Sequence, residues 1–193
     1  GLRPDFALLH PKVGIAVFEV KDWDLRAMHY EVKERTGKAP DLLAEKDGER
    51  FSLQKENPIE KILRYKQEVY DLYCPRIDGK SGFAAITAGV IFPFSSDQSV
   101  KELFAKSLQY REMDQYPQYY PVSGADAVQS GNLHAVFPEF IRKHSKFMSD
   151  DLAKDLRNWL VEPEFAATQR QPLELDRTQL SFVKTRTKSG YRR

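Results

Sequence analysis

A chain of 193 residues that is 41% hydrophobic and 30% charged is long enough to bury a core without disulfide or metal staples, and its composition is that of a globular protein rather than a disordered chain. Its formal net charge of +2 is too small to establish a nucleic-acid partner, although it is compatible with one. The longest apolar run, FAAITAGVIFPF at 83–94, falls well short of the roughly 20 residues that cross a bilayer, and no signal-peptide pattern opens the chain, so the expectation is a cytoplasmic protein with no membrane partner.

In chain order, residues 5–9 and 13–21, DFALL and VGIAVFEVK, predict two adjacent strands joined by a short Pro and Gly turn. Residues 22–56 are densely charged and predict a hairpin, DLLAE against ERFSL around Lys46, Asp47 and Gly48, in what reads as a peripheral elaboration rather than core. From Asn57 the period changes to three and four, with Ile59, Ile62, Leu63, Val69, Tyr70 and Tyr73 on one stripe. Asn57 as cap, Pro58 at the first helical position and Glu60 three after the cap start that helix, and PRIDGKSG ends it.

FAAITAGVIF is a continuous apolar run of the kind that forms a strand covered on both faces. SDQSVKELFAKSLQY predicts a second helix capped by Ser96 or Asp97, and SDDLAKDLRNWL at 149–160 a last short one with Leu152, Leu156, Trp159 and Leu160 on one side. Between them, residues 111–137 show no period beyond a short strand at YYPV. After Pro163 comes a connector and then a helical start near LELDRTQLSFVKT. The pattern as a whole predicts an α/β domain, a central mixed sheet flanked by helices, over 1–160, with 161–193 as a linker.

A period of two puts Ile15, Val17, Glu19 and Lys21 on one face of the second strand. If the first strand lies beside it with Asp5 at the same end, two carboxylates and an ammonium converge. Two anions so placed resist ionisation unless a cation sits between them, and a hard divalent ion such as Mg²⁺ supplies that charge with few protein ligands. Lys21 could then orient or help deprotonate an attacking water, or offset charge in the transition state, which suits phosphodiester hydrolysis. The same spacing also arises when Glu19 and Lys21 are an ordinary ion pair on the solvated end of a strand.

Pro4 and Asp5, a hairpin, then Glu19, Val20 and Lys21 resemble the PD-(D/E)xK nuclease signature, and VFEVKDW followed by ENPIEK resembles the nuclease-related domain (NERD) branch of that superfamily, over about residues 4–110. The resemblance implies a restriction-endonuclease-like core and a Mg²⁺- or Mn²⁺-dependent deoxyribonuclease, endonucleolytic in action, that leaves a 5′-phosphate. It also implies that Asp5, Glu19 and the backbone carbonyl of Val20 hold the metal and that Lys21 is the catalytic lysine. Where the family's Asn-Pro motif continues to a Gln, this chain has Lys61. A related branch carries a Gln with a Tyr four residues on, and here Gln67 is followed by Asp71.

The family also has a helix before the Asp that contributes a glutamate. The sequence starts at Gly1 and Leu2 with no Met, which suggests a trimmed piece of a longer protein, expected by itself to bind metal weakly. LDRTQLSFVKTRTKSGYRR at the end resembles the lead-in to a superfamily 1 helicase, with Gln179 as the adenine-reading glutamine. The implied parent is a nuclease-helicase fusion acting in DNA processing or defence against phage, with DNA and a helicase domain as partners, and with a homo-oligomer where both strands are cut together. A DNA-binding module without catalysis and a protein-interaction scaffold are the alternatives.

Other residues carry two readings each. Lys66 either reaches the rim of the site and a DNA phosphate or extends past the helix edge. Gln67 either bridges a ligand water and the backbone or is a surface amide. Trp23 either stacks on a base or caps the core, and Tyr110, Tyr116, Tyr119 and Tyr120 share that ambiguity. Asn57 is a further supporting or DNA-contacting residue. The basic tail, Lys184 to Arg193, is either solvated or touches phosphate. Cys74 reads as a small buried hydrophobe, and His10, His29, His134 and His144 lack metal-ligand spacing.

Overall fold

The computed structural model describes residues 3–73, 83–137 and 145–160. Strands β1 (Phe6–His10) and β2 (Gly14–Val20) form the expected antiparallel hairpin, Phe6 opposite Phe18 and His10 opposite Gly14. Gly14 leaves the turn at φ +139, where an added Cβ would collide with the Ala85 carbonyl, so only glycine suits the position. Strand β6 (Ile86–Ile91) runs parallel to β2, Ile15 opposite Ile86 and Val20 opposite Ile91. On its far side β7 (Val122–Ser123) is again parallel, giving the order β1-β2-β6-β7. The short strand expected at YYPV therefore exists with shifted bounds, and its pairing begins earlier, with the Ala88 N–H donating to the Tyr119 carbonyl.

Both faces of this mixed sheet are covered, which is why β2 and β6 are nearly continuous apolar runs. On one face Ile15 and Val17 join Ile86, Ala88 and Val90. They meet Ile59, Ile62 and Tyr65 of helix α1 (Pro58–Glu68) and Val100 and Phe104 of α2 (Asp97–Tyr110). On the other face Ala16, Phe18 and Ile91 pack with Ala127 of α3 (Ala125–Gln129) and Val136 of α4 (Leu133–Val136). There Phe6 stacks on Phe18 at 5.0 Å, with Phe137 edge-on to Phe18 at 4.8 Å. Helix α5 (Asp150–Leu160) buries Leu152 and Leu156 as expected.

The start of α1 follows the sequence, with the Asn57 side chain accepting from the Ile59 N–H at 3.0 Å and Pro58 at the first position. Glu60 does not close a capping box. Its carboxylate is held by Arg111 at 2.9 and 2.7 Å, and the Asn57 N–H turns to the Gln54 carbonyl instead. After Glu68 the helix widens into a π turn over Val69–Tyr73, while its expected stop at 75–82 lies outside the described residues, as does Cys74. Ser96, not Asp97, caps α2 by accepting from the Ser99 N–H at 3.2 Å.

The densely charged stretch is a correction. It folds as a second antiparallel sheet of β3 (His29–Arg35), β4 (Lys38–Lys46) and β5 (Glu49–Ser52), with Asp47 and Gly48 at φ 53 and 82 making the predicted hairpin turn. This sheet is not peripheral: Val32 and Leu42 belong to the same buried cluster as Ile15 and Val17, and Ala44 is buried as well. Alternation along β4 hides one apolar face behind charged neighbours, so composition alone obscures it. In residues 111–137 the elements β7, α3 and α4 are each too short to display a period. Among the described residues no helix is long and apolar enough to cross a membrane. The lead-in over 161–193, with Gln179 and the basic tail, lies outside the described residues.

Candidate active site at the carboxyl end of the second strand

Alternation along β2 turns Glu19 towards α1, where it is 4% exposed. A buried carboxylate demands partners, and it has three. Oε1 accepts from the Lys61 ammonium at 2.6 Å and pairs with the Lys21 ammonium at 3.0 Å, while Oε2 accepts from the Tyr65 hydroxyl at 2.7 Å. Burial acts to raise the Glu19 pKa, but the hydrogen bonds from Lys61, Tyr65 and Lys21 together outweigh it and hold the group below the ordinary carboxyl range. Tyr65 shifts the other way, pushed well above a normal phenol by burial and then by the charges of Glu19 and Asp5. It therefore stays a hydrogen-bond donor.

Asp5 stands just before β1. Its N–H donates to the Phe18 carbonyl at 2.9 Å, and its Oδ2 accepts from the Val20 N–H at 2.6 Å. Phe6 and Phe18 share the opposite face of the sheet, so strand alternation assigns Asp5 and Glu19 to the same side. Lys21 continues the parallel ladder, its N–H donating to the Ile91 carbonyl at 2.9 Å, and its side chain is 12% exposed. Asp5, Glu19 and Lys21 thus meet at the carboxyl end of β2, beside β6, the end of a parallel sheet where α/β folds bind ligands.

The other expected residues are distributed differently. Trp23 stacks on Tyr30 at 4.9 Å and lies against Phe92, so it caps the core, with the Lys21 ammonium 5.7 Å from its ring. Gln67 faces solvent and donates to Asp71 at 2.7 Å, the arrangement of a surface amide. Lys66 neither reaches a rim nor extends outward. It is 1% exposed, its ammonium 4.8 and 4.6 Å from the Tyr119 and Tyr120 rings, and burial pushes its pKa down to about 7. Asn57, 1% exposed, is spent on capping α1. Tyr110 and Tyr116 are exposed, whereas Tyr120 is buried.

Two residues of the site escaped the sequence reading in whole or in part. Lys61 was visible only as a departure from an expected Gln, and Tyr65 was not singled out. The available signal was their spacing: positions i and i+4 share a helix face. Lys61 and Tyr65, one helical turn apart, both reach Glu19, whereas Gln67 and Asp71 bond to each other.

The donor set suits a hard cation in type, since Asp5, Glu19 and the Val20 carbonyl offer oxygen, and Mg²⁺ commonly uses one or two carboxylates and keeps several waters. Among the described residues no group of three or more His, Cys, Asp or Glu is placed to hold a metal ion, here or elsewhere. Comparison with protein-family models, with curated proteins and with solved structures finds no match to this chain.

Proposed function

We propose that the chain is a metal-dependent deoxyribonuclease with a restriction-endonuclease-like core, hydrolysing phosphodiester bonds endonucleolytically. The observation that carries this reading is the meeting of Asp5, Glu19 and Lys21 at one strand end, backed by Lys61 and Tyr65. Mg²⁺ or Mn²⁺ held by Asp5, Glu19 and the Val20 carbonyl would polarise a phosphoryl oxygen and acidify a bound water. Lys21 offsets charge on a non-bridging oxygen as the water oxygen bonds to phosphorus and the bond to the 3′ oxygen breaks. The 3′ oxygen leaves as a hydroxyl and the 5′-phosphate stays on the other fragment. Tyr65 holds the Glu19 carboxylate in one orientation through Oε2. Coupling to a superfamily 1 helicase in a longer parent rests on residues 175–193 alone.

The test is cleavage of plasmid and single-stranded DNA in Mn²⁺ by the chain and by D5A, E19A and K21A. Each variant should cut about a hundredfold more slowly or worse, as losses of transition-state contacts do. Variants that cut as fast as the parent would refute the assignment. A second reading, a DNA-binding module without catalysis, draws support from the two ammoniums that already crowd Glu19 Oε1. It predicts DNA binding in EDTA that E19A leaves unchanged, with no cleavage by the parent.

A further inference from the structure

Two cations on one carboxylate oxygen is more than Glu19 needs. On Oε1 the Lys61 ammonium donates a hydrogen bond at 2.6 Å and the Lys21 ammonium lies 3.0 Å away, so two cations face the same oxygen. The Oε2 atom already accepts from Tyr65. With Asp5 the four charged groups of the site sum to zero, so a divalent cation entering this arrangement finds no net negative charge and meets an ammonium where it would coordinate.

The two lysines differ in how they are held. The Lys21 side chain is 12% exposed and follows directly from β2, its ammonium also 5.7 Å from the Trp23 ring, whereas the side chain of Lys61 is 27% exposed. The neighbouring acid Glu60 points elsewhere and is engaged by Arg111 Nε and Nη2. Lys61 is therefore the cation that can leave Glu19 for another anion.

We propose that Lys61 makes divalent-metal binding conditional on nucleic acid: its ammonium occupies Glu19 Oε1 until a backbone phosphate takes it, and only then is the oxygen open to the metal. This rests on the nuclease reading above and adds an order of events to it. With Lys61 transferred to phosphate, Asp5, Glu19 and Lys21 carry one net negative charge, which favours a divalent cation. A Gln at this position would donate to Glu19 without adding charge and would impose no such order.

The test measures bound Mn²⁺ by electron paramagnetic resonance, with no turnover involved. The full chain, K61Q, K61R and E19Q are titrated with and without a short phosphorothioate oligodeoxynucleotide. Without the oligonucleotide, K61Q should bind Mn²⁺ about tenfold more tightly than the parent, a difference of about 1.4 kcal/mol, and K61R should behave as the parent. The oligonucleotide should tighten Mn²⁺ binding by the parent and change K61Q little. That second comparison needs no variant, so it decides the matter even where K61Q fails to fold. Parent and K61Q binding Mn²⁺ alike, unaffected by oligonucleotide but weakened in E19Q, would overturn the Lys61 proposal and leave the metal site standing. Equal Mn²⁺ binding by the parent and E19Q under both conditions would overturn the metal site itself and this proposal with it.

Discussion

Replacing Tyr65 with Phe keeps the ring in the core and deletes one hydroxyl at a position 3% exposed. That hydroxyl lies 2.7 Å from Glu19 Oε2 and 2.8 Å from the Arg3 carbonyl, and its single proton is best used on the charged acceptor. Hydrogen bonds to charged groups contribute about 1.5–3 kcal/mol. Because Glu19 retains Lys61 and Lys21, the loss should fall in the lower part of that range, about 2 kcal/mol, or about 4–8 °C in Tm for a chain of this size.

The pH dependence follows from linkage. The folded-state pKa of Glu19 lies below the ordinary 4.5, so its stabilising contribution is complete above 4.5 and disappears as pH falls through the folded value. The Tyr65 bond is charge-assisted only while Glu19 is ionised, so the Y65F deficit should be full near neutral pH and shrink to about half in acid. Urea denaturation followed by tryptophan fluorescence, run from pH 7 to the lowest pH at which the chain stays folded, measures this. A deficit that is absent at pH 7, or that persists undiminished in acid, would refute the reasoning.

Leu42→Ala tests whether the charged stretch is part of the core: the residue is 0% exposed, so the loss should be about 3 kcal/mol by equilibrium denaturation, whereas a cost under about 0.5 kcal/mol would mean a surface site. Lys66→Met should remove a pH dependence of stability that the parent shows. Burial lowers the Lys66 pKa from 10.5 to about 7, so the unfolded chain holds a proton that the folded chain gives up in between, and parent stability climbs with pH across that window. Parent stability relative to the Met variant should therefore rise towards pH 10.5, and a constant difference between the two across the window would sink the argument.

Much of the framework was legible in the sequence because its determinants are local. The hairpin, the Asn57-Pro58 helix start and the doubly covered strand at 86–91 each depend on neighbours within a few positions. Even the trio was readable, because alternation places Glu19 and Lys21 together and a short turn brings Asp5 alongside. The charged second sheet was harder. Leu42 and Ala44 bury one face while Asp41, Leu43 and Glu45 stay partly exposed, and average composition conceals that alternation.

The sequence by itself determined which strands carry the acids and where the next helix begins. Only the tertiary structure decided what Glu19 meets there, since its partners Lys61 and Tyr65 are 42 and 46 residues away and arrive when α1 lies across the sheet. A helical period reports which residues share a face; it does not report what that face will touch. The adjacent residues Tyr65 and Lys66 make the point, because both are buried but one meets a carboxylate and the other two tyrosine rings. Packing between distant segments selects those environments, and with them the charge that a metal or a phosphate would encounter.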